Sequence, residues 1–383
     1  MDSNKKKAIL IQTCSLTDSI RASKVTRSLL ISGYHVSFLG WKRKSLDIGK
    51  EVWKDEDNIN EIQMTLKAPI GFRVIFYYPL WWFFVFSILM RENWDIAYAI
   101  NFESVPPALI AGKLKGKPVI YDNLDSWEDH LPLPNLIRMI SIKIDKIFMR
   151  FVSSVILADD MQVEEMRGIP NNHVIAIYDS PEDAIDIKFK YCNDNKKFLL
   201  FYAGGLSSAR ALNLDKAFDA IKNIDNVKLV IAGYGDLVDE IERWSQEIPD
   251  KIQFIGSISH EEVLRRTIEA NLLFVFRSPK ILANKYICGS KLLETMMCGR
   301  PILANKGTST AKKVLEEQCG IVVDANSIEE IKNAIMMLRD NPKMCDELGA
   351  NSRIAYEERY SWAIMEQKLL NLFRELTETK TRK

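Results

Sequence analysis

Along nearly the whole chain, short apolar runs alternate with segments in which apolar residues recur every three or four positions. That alternation predicts parallel βαβ units. In the first half the runs predict strands at Ala8–Ile11, Val36–Leu39, Ile96–Ile100, Val119–Tyr121, Val155–Ala158 and Val174–Tyr178. Between the first two, Ala22, Val25, Leu29 and Leu30 fall at helical spacing, and Gly33 is placed to stop the helix. A second series predicts strands at Phe198–Tyr202, Val227–Ala232, Ile252–Ile255, Leu272–Phe276, Pro301–Ala304 and Ile321–Val323. Ser259 with Glu262 and Ser327 with Glu330 read as capping boxes that open helices of this half. After Ser361, the residues Trp362, Met365, Leu369, Leu370 and Phe373 share one face of an amphipathic helix that closes the chain.

Residues 179–195 hold Pro181, several acids and Asn193-Asp194-Asn195 without sustained periodicity, which marks a linker. The expected organisation is an N-terminal Rossmann-like domain over 1–180, a linker over 181–196, a second Rossmann-like domain over 197–360, and a closing helix and tail over 361–383 that packs back on the first domain. The chain has 383 residues, beyond the roughly 250–300 at which a single core stops growing, so two cores are expected.

Charge and cysteine usage narrow the function. The 52 basic and 51 acidic residues nearly cancel, so the chain lacks the global basic footprint of a nucleic-acid binder, and a charged ligand has to be met locally. The six cysteines lie far apart with no C-x-x-C pair, the pattern of a reduced, cytoplasmic protein. Charged Met1–Lys7 is followed by only four apolar residues, so no signal-peptide core is expected. The aromatic stretch Phe72–Met90 is interrupted by Arg73 and Pro79 and is not expected to span a bilayer. It reads either as a core helix or, with Arg138–Arg150, where Ile and Met alternate with four cations, as a membrane-facing patch on the first half.

Ligands of open parallel sheets sit beyond the carboxyl ends of the strands, so the strand-to-helix turns carry the candidate chemistry. In the second half the first such turn is Tyr202-Ala203-Gly204-Gly205-Leu206-Ser207-Ser208-Ala209-Arg210. Its two glycines let backbone approach a ligand, and Arg210 has the forked donor set that suits a diphosphate. A glycine turn with a solvated arginine is the alternative. Gly233-Tyr234-Gly235 follows the next strand; it does not continue as G-x-G-x-x-G, which argues against a dinucleotide fingerprint. The third turn runs from Cys288 to Pro301. There Leu292, Leu293, Met296 and Met297 define a buried helical face, while Ser290 and Lys291 lie in the first turn. A cation there is disfavoured by the helix dipole unless an anion lies nearby, and Glu294 sits three residues on, facing the same crevice. An ion pair between Lys291 and Glu294 is the other reading.

These residues carry a resemblance. The chain is similar, most strongly over Phe198–Asp324, to the retaining glycosyltransferases of GT-B fold called group 1 or family 4. The resemblance implies two Rossmann-like domains facing each other across a cleft, with the nucleotide-sugar held mainly by the second. By its implication Gly204, Gly205 and Arg210 face the donor diphosphate, with Arg210 where a lysine is usual and Gly205 where a second basic residue is common. Ser290-Lys291-Leu292-Leu293-Glu294 through Gly299-Arg300-Pro301 resembles the subgroup pattern Lys-x-x-Glu-x-x-x-x-Gly-x-Pro, with Glu294 on the donor ribose and Tyr286 where a first glutamate stands in other members. In the first half, Val119 to Asp129 resembles the segment facing the acceptor. Asp125 there is a candidate acceptor partner or base, and Arg21, after the first strand, is a second acceptor-side candidate.

The expected activity is therefore transfer of a hexose-type sugar (EC 2.4) from a UDP- or GDP-linked donor to a hydroxyl of a glycan or lipid-linked acceptor, with retention implied by resemblance. The expected donor-side residues are Gly204, Gly205, Arg210, Gly233, Gly235, Ser290, Lys291 and Glu294, and the catalytic set is Asp125, Arg210 and Lys291. No metal or other cofactor is expected, and the protein is placed in the cytoplasm with peripheral contact at the inner membrane leaflet. A non-catalytic partner of the same fold and a sugar-nucleotide epimerase are the competing readings. A nicotinamide dehydrogenase is disfavoured because the first strand runs into Gln12-Thr13-Cys14-Ser15 rather than a glycine-rich turn.

Overall fold

The computed structural model describes residues 5–43, 59–69, 71–124, 135–184, 197–207 and 214–378. The chain divides into two units, Met1–Asp179 with Met365–Lys383, and Ser180–Ile364. Of the linker expected over 181–196, residues 185–196 lie outside the described residues.

The first unit is built on a seven-stranded parallel sheet of β1 (Lys7–Ile11), β2 (His35–Trp41), β3 (Ile59–Met64), β4 (Ile96–Ile100), β5 (Val119–Asn123), β6 (Ser154–Leu157) and β7 (Val174–Ala176). Their order is β3-β2-β1-β4-β5-β6-β7, with Ile9 in register between Ser37 and Ala97. The central strands read as unbroken apolar runs because helices cover both faces. Every residue of β4 is buried. The polar edge strand β3, Ile-Asn-Glu-Ile-Gln-Met, was not expected; an edge strand needs only one half-buried face and so carries no apolar run.

The helix α1 (Ile20–Ile31) starts where the Ser19 side chain accepts the Ala22 N–H, and ends as Gly33 takes φ 85° and the Tyr34 N–H returns to the Leu29 carbonyl. The opposite face of the sheet carries α2 (Tyr78–Arg91), α3 (Val105–Lys115) and α4 (Asn135–Phe151). Trp81, Val85 and Leu89 of α2 enter one core with Ile9, Ile11, Ala97, Ala99 and Tyr121, and Trp81 stacks on Trp41 at 5.7 Å. Pro79 does not interrupt the aromatic segment as the sequence suggested. It occupies the first turn of α2, where no helical N–H is needed, and a 3-10 turn over Phe72–Tyr77 leads directly into it.

The closing helix, Trp362–Glu378, belongs to the first unit from Met365 onward. Met365, Leu369, Leu372 and Phe373 are buried, with Phe373 between Tyr34 and Tyr98 at 5.8 Å from each. Leu372 takes the place expected of Leu370, which is only half-buried, because seven residues are close to two helical turns and bring Leu372 back onto the face of Met365.

The second unit has a six-stranded parallel sheet, order β10-β9-β8-β11-β12-β13, from β8 (Phe198–Gly205), β9 (Val227–Tyr234), β10 (Ile252–Phe254), β11 (Leu272–Val275), β12 (Ile302–Asn305) and β13 (Gly320–Val323). Its core gathers Leu200, Tyr202, Leu229, Ile231, Phe274 and Leu303. Both expected capping boxes are half-formed. Ser259 and Ser327 accept the N–H groups of Glu262 and Glu330, but the two glutamates turn elsewhere, Glu262 to Arg265 and Arg266 and Glu330 to Lys306 and the Asp324 N–H. A charged partner outcompetes the backbone N–H that a capping glutamate would otherwise accept.

Because Phe373 is wholly buried among aromatic rings, Phe373→Ala is expected to cost about 3–5 kcal/mol of first-unit stability, read as an earlier urea midpoint of near-ultraviolet circular dichroism. A midpoint shift equal to that of an exposed Met337→Ala control would show that the closing helix does not belong to this core.

Candidate functional site

In the second unit the strand order reverses between β8 and β11. A parallel sheet opens a crevice at such a point, beyond the carboxyl ends of the two strands. Gly204 and Gly205 end β8, Arg277 follows β11, and the helix Ser290–Met297 begins beside them with Gly289 as its N-cap.

Lys291 joins these pieces. Its Nζ lies 3.9 Å from the centre of the Tyr202 ring on β8, and its chain passes over Gly204 so closely that any Cβ there would overlap Cε and Nζ. Gly204 holds φ 141°, a conformation open to glycine, so residue 204 is fixed both by its backbone and by the lysine above it. An aromatic face attracts a cation by about 0.5–2 kcal/mol, which offsets the unfavourable dipole at the first helical turn. Gly205 beside it is different. Among the described residues nothing lies within 4 Å of where its Cβ would be, so they leave the backbone there room to be approached.

Gly233 and Gly235, expected to face a ligand, have a packing reason of their own. Both have positive φ, 150° and 152°, and a Cβ on either would overlap the carbonyl oxygens of Gly204 and Leu206 respectively. They let the end of β9 lie against the turn after β8, where the Leu206 N–H donates to the Tyr234 carbonyl at 2.9 Å. Their role is to shape the turn that carries Gly204 and Gly205.

Two residues of this crevice escaped the sequence reading. Arg277 sets its guanidinium over the helix start, 2.8 Å from where a Gly289 Cβ would be, and its Nη1 donates to the Ile287 carbonyl at 3.2 Å. Buried Asn305 clamps its backbone from β12, accepting the Arg277 N–H at 2.7 Å and donating to its carbonyl at 2.9 Å. The available signal was an arginine immediately after the run Leu272–Phe276, at a carboxyl strand end. Tyr234, between the two glycines, is 73% exposed and presents an aromatic face at the carboxyl end of β9. Ser290 is exposed in the first helical turn, and Glu294 is half-buried one turn on. Arg210 and Asp125 lie outside the described residues.

In the first unit the order reverses between β1 and β4. Beyond those strand ends, the Thr13 hydroxyl donates to Glu103 Oε1 at 2.7 Å, both groups buried. Asn101 holds φ 60° and its Oδ1 accepts the Leu124 N–H, while the buried Asn123 amide nitrogen has no hydrogen-bond partner among the described residues. Arg21 is 2% exposed. Its Nε donates to Asp122 Oδ2 at 2.9 Å and its Nη1 to the Tyr178 carbonyl at 3.3 Å, and the Tyr98 hydroxyl also donates to Asp122. Burial and the adjacent carboxylate push the Tyr98 hydroxyl well above its ordinary range, while Asp122 holds Arg21 in its charged form against the opposing effect of burial. Arg21 is therefore an internal anchor for the end of β5.

Two parallel-sheet units with a closing helix define the GT-B fold, and the solved structures agree. Sucrose-phosphate synthase from Thermosynechococcus elongatus superposes with a TM-score of 0.75 at 16% identity, covering 98% of this chain and 100% of that one. Anabaena HepE in complex with UDP gives 0.73 at 14% identity, covering 97% and 100%. Residues 183–355 match the family described as Glycosyl transferases group 1. An uncharacterized glycosyltransferase of Methanocaldococcus jannaschii is 26% identical over 194 residues, 50% of this chain and 47% of that protein. A GDP-mannose-dependent monoacylated alpha-(1-6)-phosphatidylinositol monomannoside mannosyltransferase of Corynebacterium glutamicum is 24% identical over 152 residues, 38% and 39% of the two. The matched stretch thus spans less than half the length of these curated relatives.

Removing one partner of the buried pair leaves a charge without compensation. Asp122→Ala is expected to destabilise the first unit by about 3–5 kcal/mol, and the double variant Arg21→Met with Asp122→Leu to recover most of that loss in urea unfolding. Equal losses in both variants would place the cost in packing volume rather than in the ion pair.

Proposed function

We propose that this protein is a glycosyltransferase that binds a nucleoside-diphosphate sugar in the β8/β11 crevice of its second unit and transfers the sugar to a hydroxyl of a glycan or lipid-linked acceptor. The observation that carries the reading is the convergence of Lys291 and Arg277 on one helix start beside the backbone of Gly205, which no described residue obstructs. Two cations set at a helix N-terminus, whose dipole favours an anion, form a binding place for a diphosphate. The group 1 match covers this crevice, and the HepE structure of the same fold holds UDP.

The chemistry follows from charge. As the glycosidic bond to the diphosphate breaks, negative charge grows on the leaving phosphate oxygen, and pre-positioned cations stabilise that charge more than they stabilise the bound donor. Lys291 and Arg277, joined by Arg210 from the turn after β8, do this without calling on a metal ion. Arg277 takes up the place in the charge balance that Gly205 leaves open. Glu294 accepts from the ribose hydroxyls, and the exposed Tyr234 ring offers a stacking face for the base. On the acceptor side, Asp125 is the candidate carboxylate for an incoming hydroxyl, with buried Glu103 near the same strand ends, and retention of configuration is part of the reading through its resemblance to group 1 enzymes. An acceptor of the lipid-linked kind places the protein at the cytoplasmic leaflet.

Calorimetric titration with UDP and GDP tests the site. One of the two is expected to bind, and Lys291→Ala and Arg277→Ala are each expected to weaken it by about 1.5–3 kcal/mol, the range for hydrogen bonds to charged groups. Glu294→Ala is expected to weaken it as well. Affinity unchanged in both cation variants would remove the diphosphate from this crevice, and no binding of either nucleotide would favour the non-catalytic partner. A hexose-nucleotide isomer formed from donor alone would favour the epimerase.

A further inference from the structure

Among the described residues, twenty large hydrophobic side chains are exposed, and eleven of them lie between Phe76 and Phe151. They are not scattered. Leu80 and Phe83 line the outer side of α2, Ile110 and Leu114 that of α3, and Ile147 and Phe151 that of α4, at 51–72% exposure. The three helices form one layer on one face of the first sheet, because their inner sides share the core of Ile9, Ala97 and Tyr121. Their outer sides therefore make one surface. Lys113 Nζ of α3 sits 4.0 Å from the Phe151 ring of α4, tying two of the helices together on that side.

The charges on this layer have one sign. The 3-10 turn Phe72–Tyr77 together with α2, α3 and α4 holds eight lysines and arginines and a single acid, Asp145. Asp145 is turned inward, 2% exposed, and accepts the Tyr121 hydroxyl at 2.8 Å. On α4 the exposed residues Ile140, Lys143, Ile144, Ile147, Arg150 and Phe151 follow one another at three- and four-residue spacing, so cations and apolar groups alternate along a single stripe. In a chain whose charges otherwise cancel, this is a local segregation of positive charge with exposed hydrocarbon.

We infer that the outer face of α2, α3 and α4 docks on an anionic lipid surface, with the apolar side chains entering the interface and Lys113, Lys143 and Arg150 meeting the headgroups. Charge selects this occupant. A second copy of the chain placed face to face would set cation against cation with no exposed acid in these helices to pair them, whereas an anionic leaflet supplies about 1 kcal/mol for each basic residue near its surface. Docking by this layer also differs from spanning. The segment Arg73–Arg91, at 19 residues and mean hydropathy 1.5, is long and apolar enough to cross a membrane, but Trp81, Val85 and Leu89 on its inner stripe are fully buried in the unit core. It lies on the surface with its outer side only.

The docking is independent of the chemistry proposed for the second unit and is tested separately from it. The full chain is sedimented with vesicles of phosphatidylcholine alone and of phosphatidylcholine mixed with phosphatidylglycerol. It is expected to bind the mixed vesicles, at least about tenfold more weakly the neutral ones, and more weakly as salt rises. Lys143→Glu with Arg150→Glu is expected to weaken binding about tenfold or more, and Leu114→Ser with Ile147→Ser to a similar degree. Because all four side chains are exposed, the variants are expected to keep the parent's far-ultraviolet spectrum and nucleotide affinity. Absence of binding to the mixed vesicles, or binding that neither pair of changes reduces, overturns the inference. A dimer seen by light scattering that Leu114→Ser with Ile147→Ser dissociates would overturn it in favour of a second copy on this face. In each of these cases nucleotide binding in calorimetry remains the separate measure of the transferase reading.

Discussion

A parallel sheet wound by right-handed crossovers cannot add strands in one direction only and keep both faces covered; it turns back to its first strand and continues on the other side. Both units of this protein obey that constraint, reversing between β1 and β4 and between β8 and β11. The reversal leaves two neighbouring strands whose following segments depart to opposite faces, and the opening between them is the one place where ligand can reach backbone at a carboxyl strand end. The polar features of the chain collect at these openings. Thr13 and Glu103 stand at the first, and Gly204, Gly205, Arg277 and Lys291 at the second. The placement of the chemistry is thus a consequence of strand order, and residues far apart in sequence meet because the topology leaves them no other common place.

Within the second opening, glycines and cations determine one another. Gly233 and Gly235 allow β9 to press against the carbonyls of Gly204 and Leu206, which sets the path of the turn. Gly204 leaves room for Lys291 to lie over Tyr202, and Gly289 leaves room for Arg277. Four of these glycines are filled by protein, and among the described residues nothing fills the space beside Gly205. The turn is glycine-rich chiefly so that two cations can be packed against backbone, which holds them in place before any ligand arrives. Prior placement of that kind is what makes a cation useful to a developing charge, since little reorganisation is left to the moment of bond breaking.

Fold and site differed in how legible they were. The strands of both sheets could be read from apolar runs because a strand buried on both faces admits few polar residues, as β4 and β11 show. β3 was invisible for the converse reason, since an edge strand with Asn60, Glu61 and Gln63 has no run to read. The position of Lys291 and Glu294 in the first turns of a helix was legible because a helix start after a glycine leaves a local signature. Arg277 was not, because nothing next to it in sequence tells that Asn305 and Gly289, 28 and 12 positions on, will hold it over a helix N-terminus. The buried pairing of Arg21 was out of reach for the same reason: its partner Asp122 lies 101 residues away, and only the sheet brings them together. Contacts of long sequence separation are where a reading of local pattern runs out.

The aromatic segment of the first unit shows how a single helix can satisfy two requirements whose sequence patterns overlap. A core helix needs an apolar stripe, and α2 has it in Trp81, Val85 and Leu89. A stripe of that width needs only about a third of the circumference, and a helix that met water on its other side would fill the rest with polar residues. α2 fills it with Leu80 and Phe83, and the neighbouring helices repeat the choice with Ile110 and Ile147. Exposed hydrocarbon of this extent contributes nothing to the core and invites aggregation unless something covers it. The cations interleaved with it limit which partner can do so. They repel an identical surface and any other basic one, they tolerate water when the face is bare, and they are attracted to an acidic leaflet. On the docking proposed above, the same residues would oppose self-association of the bare face and choose its occupant, which accounts for apolar and basic positions occurring on the same stripe and not on separate faces.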